Sequence, residues 1–373
     1  MDTNTTRAHR STRRRSAARG RTFLRSLLAG LLLAFGAGAS ALEAQAPPPE
    51  QRTPTVAYNS HPEQQNFLIV WVEDRGKGPD IYGKRLANNG LPVGGPTKGG
   101  IQVIRSEVGN RSQTPGPRSN PALLYNPATE EYLLVFDEYT GEEEGWNIFS
   151  VRVSAAGYAI GKPREIVGGE GDQQRPDVDL IDLQNGGDQR RDYLVVYDDN
   201  TRDLDEIWAI RLRDNNIPLG RPELVFRDPN FNASDPTTNG ASVAWVDDRD
   251  GQKDIWTLRL RNGKPSGTAY RLAGDGFADD YAPRYGSGGL VWNTYDPATG
   301  EDIVGVQVYD NNRTRGGSIG ILVPVADQAW PDTANSLTVY ADNRSGRFNL
   351  YGIRTTNFRR QGREFPIMLD LMP

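Results

Sequence analysis

The 373-residue chain has no cysteine, only two histidines (His9 and His61) and three methionines. Without cysteine there are no disulfide staples, no thiolate zinc sites, no thiol nucleophile and no acceptor for a lipoprotein's lipid. Stability must come from packing. Beyond residue 46 no segment sustains a 3.6-residue apolar period, so helix is expected to be scarce. What abounds is glycine (41) and proline (25), the composition of many short strands joined by turns.

Charge is uneven. Residues 1–46 carry eight arginines against Asp2 and Glu43, while the rest of the chain has 35 basic and 46 acidic residues, a net of −11. An acidic body repels phosphate backbones, so nucleic acid is not an expected partner. The basic stretch Arg7–Arg25, the short apolar run Leu27–Phe35 and the small-residue sites Ala39-Ser-Ala41 and Ala44-Gln-Ala46 read as an export signal over 1–46. Residues 47–53, opening with Pro47-Pro-Pro49, read as a stiff linker. The expected mature chain is a monomer, not inserted in a membrane, and periplasmic or extracellular.

The body repeats one scheme. A proline opens each unit: Pro54, Pro121, Pro176, Pro236, Pro283 and Pro331. An apolar-aromatic run follows, as in Phe67–Val72, Tyr132–Phe136 or Tyr193–Tyr197. An acidic turn and a strand such as Asp80-Ile-Tyr-Gly-Lys-Arg85 or Asp254-Ile-Trp-Thr-Leu-Arg259 complete it. Periods of this length mark arrays of one supersecondary unit. Runs such as Leu68-Ile-Val-Trp71, apolar at consecutive positions, mark strands covered on both faces. The prediction is an all-β fold, a β-propeller of six four-stranded blades over 54–373.

The opening proline, the apolar-aromatic run, the acidic turn and the [Asp/Asn/Glu]-[Ile/Leu]-aromatic strand resemble the TolB-like, WD40-like propeller repeats of exported bacterial proteins. The Ser-Pro-Asp-Gly turn typical of TolB repeats is missing from all six units. The resemblance implies a propeller serving as a binding platform.

Two charges recur. A carboxylate ends the second strand (Glu73, Glu138, Asp199, Asp247, Asp342) and an arginine sits in the third (Arg85, Arg152, Arg211, Arg259, Arg354). The fifth unit lacks both, with Thr294 and Gln307. Joint loss points to partnership, and the separation of about 13 Å along a hairpin points to a pair across a blade interface. Asp247-Asp-Arg-Asp-Gly-Gln-Lys-Asp254 is half a calcium loop, with Arg259 where an EF-hand needs its glutamate. An acidic hairpin turn is the stronger reading. No cofactor is expected, and calcium is the alternative.

Connections preceding the opening prolines should ring the mouth of the central channel. Gln173, Arg175, Asp235, Asp279, Asp280, Tyr281, Gln328 and Trp330 are the candidate ligand-binding residues, offering carboxylates and amides beside aromatics. No catalytic or metal-ligating residue is assigned. The expected function is non-catalytic binding of a protein or a cell-envelope polysaccharide. The alternatives are a carboxylate-dependent hydrolase or lyase acting on glycans, with Asp235, Asp279 and Asp280 as first suspects, and a calcium-dependent hydrolase. Two classes fit less well. A quinone-cofactor dehydrogenase needs a histidine base, and His61 alone follows the signal; a sialidase needs a Ser-x-Asp-x-Gly-x-Thr-Trp box that the chain lacks.

Overall fold

The computed structural model describes residues 49–94, 100–104, 116–181, 191–274, 278–286, 288–297, 300–309, 313–321 and 326–367. The expected signal and the first residues of the expected linker lie outside these. The described residues form six four-stranded antiparallel sheets and no helix, as the repeats predict. No helix long and apolar enough to cross a membrane occurs among them.

Strands are numbered in chain order, four to a blade. Blade 1 comprises β1 (Gln51–Asn59), β2 (Asn66–Asp74), β3 (Pro79–Ala87) and β4 (Ile101–Gln102). The first strands of the other blades are β5 (Arg118–Asn126), β9 (Gln173–Ile181), β13 (Ala233–Thr238), β17 (Asp279–Gly286) and β21 (Gln328–Ala334). β1 starts at Gln51, so residues 51–53 belong to the propeller and not to the linker. Neighbouring first strands touch in the circle β1–β5–β9–β13–β17–β21–β1, which makes them the inner wall of the wheel. Every blade takes its four strands from one continuous stretch. Closure between blades 6 and 1 therefore rests on contacts between whole blades. The Gln51 amide donates to the Phe348 carbonyl (3.1 Å), Leu350 N–H donates to Gln51 Oε1 (3.2 Å), and Lys84 Nζ donates to the Ile367 carbonyl (3.1 Å).

The second strands read apolar without alternation because a blade lies on each of their faces. Leu68 and Val70 pack toward blade 2, among Leu134 and Val151. Phe67 and Ile69 pack toward blade 6, among Leu337 and Val339. The outer strands are β8 (Ala159–Val167), β12 (Glu223–Phe226), β16 (Lys264–Ala273), β20 (Thr314–Gly320) and β24 (Arg359–Pro366), with β4 in blade 1. Most of their residues face water, and they are correspondingly polar.

The recurring carboxylates do not pair with the third-strand arginines. In blades 1, 4 and 6 each binds the arginine two residues on. Arg75 Nε donates to Glu73 (2.9 Å), Arg249 Nε to Asp247 (2.7 Å) and Arg344 Nε to Asp342 (2.8 Å). The guanidinium then lies over the aromatic ring of the third strand: Tyr82 at 3.6 Å, Trp256 at 3.7 Å and Tyr351 at 4.5 Å. Where the second strand ends in tryptophan, the same carboxylate accepts the indole N–H, Trp71 to Glu73 at 2.7 Å and Trp245 to Asp247 at 3.3 Å. One charged cap thus closes the end of each of these hairpins, combining an ion pair with a cation–π contact and, in blades 1 and 4, a satisfied buried indole donor. In blade 2 Glu138 instead takes Arg118 (2.9 Å), and in blade 3 Asp199 accepts the Thr201 amide (2.8 Å). Two third-strand arginines cross blade interfaces, to backbone: Arg85 to the Ala155 carbonyl (3.3 Å) of blade 2, and Arg354 to the Asn88 carbonyl (2.5 Å) of blade 1; Arg152 and Arg211 instead pair with Glu131 and Asp192 of their own blades.

Candidate functional site

All six inner strands are broken at one place. The residue before each opening proline has a left-handed backbone: Thr53 (φ 45°), Asn120 (41°), Arg175 (49°), Asp235 (51°), Ala282 (51°) and Trp330 (52°). The pairing register with the second strand slips there in every blade, so each is a β-bulge. A non-glycine residue held at positive φ before a proline is strained twice, by its own Cβ and by the ring that follows. Such positions cost on the order of 1–3 kcal/mol each and persist only where the surroundings over-determine them.

The surroundings are inter-blade bonds. The bulged amide of Arg175 donates to Asp137 Oδ2 of blade 2 (3.1 Å), that of Asp235 to Asp198 Oδ2 of blade 3 (2.8 Å), and that of Trp330 to Asn293 Oδ1 of blade 5 (2.9 Å). Asp137 also accepts from Asn120 (2.8 Å). At the other three interfaces the equivalent positions are Val72, Val246 and Ala341, which cannot accept a hydrogen bond.

Charged side chains bind the same region. Arg175 reaches Asp198 (2.5 Å) and Asp205 (3.2 Å), and Arg284 reaches Asp235 (3.1 Å). One step further along the inner strands, Asp177 Oδ2 accepts Thr237 Oγ1 (2.7 Å) and the Thr238 amide (2.8 Å). Asp332 Oδ2 accepts Thr55 Oγ1 (2.6 Å) and the Val56 amide (2.8 Å). Burial opposes the charge of Arg284, yet Asp235, Asp177 and Asp332, contributed by three different blades, hold its pKa above the ordinary value. The carboxyls titrate high for the same reason. Burial pushes Asp137 up to about 6 against its bonds from Asn120 and the Arg175 amide. It pushes Asp332 up to about 6 against Thr55 and Val56. It pushes Asp179 up to about 7, offset by the Leu180 amide and reinforced by Asp177. Burial also raises Asp198, opposed first by the Arg175 guanidinium.

The expected site residues divide in two. Each lies on an inner strand and not in a loop. Arg175, Asp235 and Trp330 are bulge residues, partly exposed, with Trp330 against Phe348 (5.1 Å). Gln173, Asp280 and Gln328 stand two residues earlier and are 2%, 6% and 0% exposed, so they face into the protein. Asp280 accepts the Trp292 indole N–H (2.9 Å), and Gln173 donates to the Glu170 carbonyl (3.1 Å). Asp279 accepts the Lys253 amide (3.1 Å). Tyr281 is half-buried, with a pKa raised by burial and by Glu301. In a regular strand residues two apart share a face, so it is the bulge, by shifting the alternation, that separates the groups. Asp177, Arg284 and Asp332 were missed, although each directly follows an opening proline. Among the described residues no three His, Asp or Glu side chains converge to hold a metal ion. In the acidic turn 247–254, Asp247 holds Arg249 and Asp254 is paired with Arg271 (3.2 Å).

No protein-family model matches the sequence. A search of curated proteins returned no match. Among solved structures, the chain is similar to TolB from Acinetobacter baumannii at 13% identity, with a TM-score of 0.47, covering 84% of this chain and 65% of that one. It is similar to a puromycin-hydrolyzing peptidase of Mycobacterium tuberculosis at 13% identity and TM-score 0.47, covering 86% and 54%. A protein of unknown function from Dyadobacter fermentans gives TM-score 0.55 at 9% identity, covering 84% and 93%. The propeller of six four-stranded blades expected from the repeats is present. The chain spans 65% of the TolB structure and 54% of the peptidase, and at such identities the likeness is one of fold alone.

Proposed function

We propose that the chain is an exported, non-catalytic binding propeller that engages a protein or an envelope polysaccharide through the bulged ends of its inner strands. One observation carries this reading: six equivalent backbone bulges carry six different side chains, five of them partly exposed (Thr53, Asn120, Arg175, Asp235 and Trp330) and one, Ala282, buried. A uniform scaffold with a non-uniform display is the design of a recognition surface. The carboxylates nearest to it already hold amides and arginines of neighbouring blades, a structural task. Photo-crosslinking residues placed at 53 and 330 of the full chain should capture one saturable envelope partner. Capture of none, together with turnover of a glycan or peptide by the purified protein, would replace this reading.

A second reading, a carboxylate-dependent hydrolase, draws on the raised pKa of Asp179, since a carboxyl still protonated near neutrality is what a general acid requires. Its test is a hydrolysis screen of the wild type beside Asp179→Asn, which must abolish any activity found.

A further inference from the structure

At their outer edges the blades meet in seams, and the seam between blades 2 and 3 is built unlike its counterparts. In blades 1, 3 and 6 an outer-strand residue pairs with a small residue of the third strand: Ile101 with Gly83, Glu223 with Ala209 and Phe365 with Gly352. Each of the three also meets the turn that follows the third strand of the next blade. Ile101 lies 3.1 Å from the place a Cβ would take on Gly157, and Phe365 lies 3.6 Å from that of Gly90. Glu223 accepts Lys264 Nζ at 2.8 Å. Two seams are thus closed by apolar contact and one by an ion pair. In blade 2 the corresponding pair is Arg164 with Ser150, and the facing turn of blade 3 offers Asn215 and Asn216. Asn216 is buried and turned onto the backbone of blade 2: the Ser150 hydroxyl donates to its Oδ1, and its Nδ2 donates to the Ser150 carbonyl (3.3 Å). Neither asparagine gives Arg164 a carboxylate or a ring to close against.

What remains is a groove of about 430 Å³, lined by Arg152, Ile160, Lys162, Arg164, Asn215 and Asn216 among others. Strand register gathers the charge there. Ser150 pairs with Arg164 and Arg152 with Ile160, so two steps of β7 (Gly145–Val153) span four of β8, and the surplus brings Lys162 to the groove between its neighbours. Arg152 lies 3.4 Å from Glu131, which meets part of its charge. Lys162 and Arg164 are exposed, and among the described residues neither has an ion-pair partner. Outside residues 1–46 the chain is acidic, yet three cations converge here, and like charges brought together favour an anion between them. The groove is larger than one oxyanion needs. Ile160 and Pro163 give it apolar surface, and the Asn215 amide offers a donor and an acceptor for hydroxyl groups.

We infer that this groove is a binding site for an oxyanion carried on a sugar ring, with the carboxylate or phosphate held by Lys162 and Arg164 and the ring over Ile160 and Pro163. It lies on an outer strand and does not rest on the reading of the bulged face. The test is calorimetric titration of the full chain at low salt with glucuronate, glucose 6-phosphate, glucose and inorganic phosphate. One of the two sugar anions should saturate the protein at least about tenfold more tightly than glucose, the ratio one charge-assisted hydrogen bond gives, and more tightly than inorganic phosphate. Which of the two binds better tells a carboxylate source from a phosphate source. Lys162→Gln with Arg164→Gln should weaken that binding by at least about tenfold, and both substitutions are at exposed positions that the fold does not need. Arg359→Gln with Arg360→Gln removes two exposed cations from the outer strand of blade 6 and should leave it unchanged. No saturation by either sugar anion, glucose or inorganic phosphate binding as tightly as they do, or equal weakening by the two double variants would each overturn the inference.

Discussion

The bulges and the charged caps, which lie at the same end of their blades, repeat in opposite ways. At the bulges the backbone is repeated and the side chains are not: six left-handed residues, six identities. At the charged caps the side chains are repeated, Glu73–Arg75–Tyr82, Asp247–Arg249–Trp256 and Asp342–Arg344–Tyr351. Repetition of a side-chain trio in blades 1, 4 and 6 marks a packing task that blade geometry sets more than once. Repetition of a strained backbone with changing side chains marks a frame for display. Blade 5 sharpens the contrast, because it keeps the bulge at Ala282 and abandons the cap.

The largest effect should come from the cap's core. Trp245→Ala removes a fully buried ring stacked on Phe226 and should cost about 3–5 kcal/mol in denaturant unfolding. Asp247→Ala, which strands Arg249 and the Trp245 N–H, should cost about 2–3 kcal/mol. Its blade 5 counterpart Thr294→Ala should stay within about 0.5 kcal/mol. Equal losses at 247 and 294 would remove the distinction between capped and uncapped blades. At the bulge, Ala282→Val places a β-branched residue at φ 51° and should lose about 1–3 kcal/mol. Ala282→Gly relieves the strain and should change stability by less than about 1 kcal/mol, since glycine also gains freedom in the unfolded chain. A tolerated valine would show that the left-handed backbone is not required.

A further prediction concerns pH. Asp179 titrates near 7 in the folded chain against an ordinary 3.8, so the folded state binds the proton more tightly. Its contribution is therefore complete below about pH 4 and is lost as pH rises through 7. Asp137 and Asp332, raised to about 6, act in the same direction. Denaturation midpoints should fall between pH 4 and 7 on their account, and Asp179→Asn should flatten part of that slope. An unchanged slope would show that Asp179 is not held in an environment that favours its neutral form.

Much of this was legible in one dimension. The opening prolines mark the six inner strands because each sits directly after the bulge residue. The doubly apolar runs announce burial on two faces. The cap was legible too, as Glu73-Asp-Arg75, Asp247-Asp-Arg249 and Asp342-Asn-Arg344, but the third-strand arginines offered a competing match. Both arginine sets are absent from blade 5, so joint loss alone did not choose between them. Distance along the turn did.

The sequence by itself determined the wheel: local turn chemistry and strand patterning act over a few residues, and six copies leave one way to bury every second strand. Only the tertiary structure decided which of the polar residues before each proline look outward and which are buried. A one-residue bulge reverses the alternation of the strand, and it is held by acceptors such as Asp137, Asp198 and Asn293 from the preceding blade, 37 or 38 residues earlier in the chain than the amides they bind.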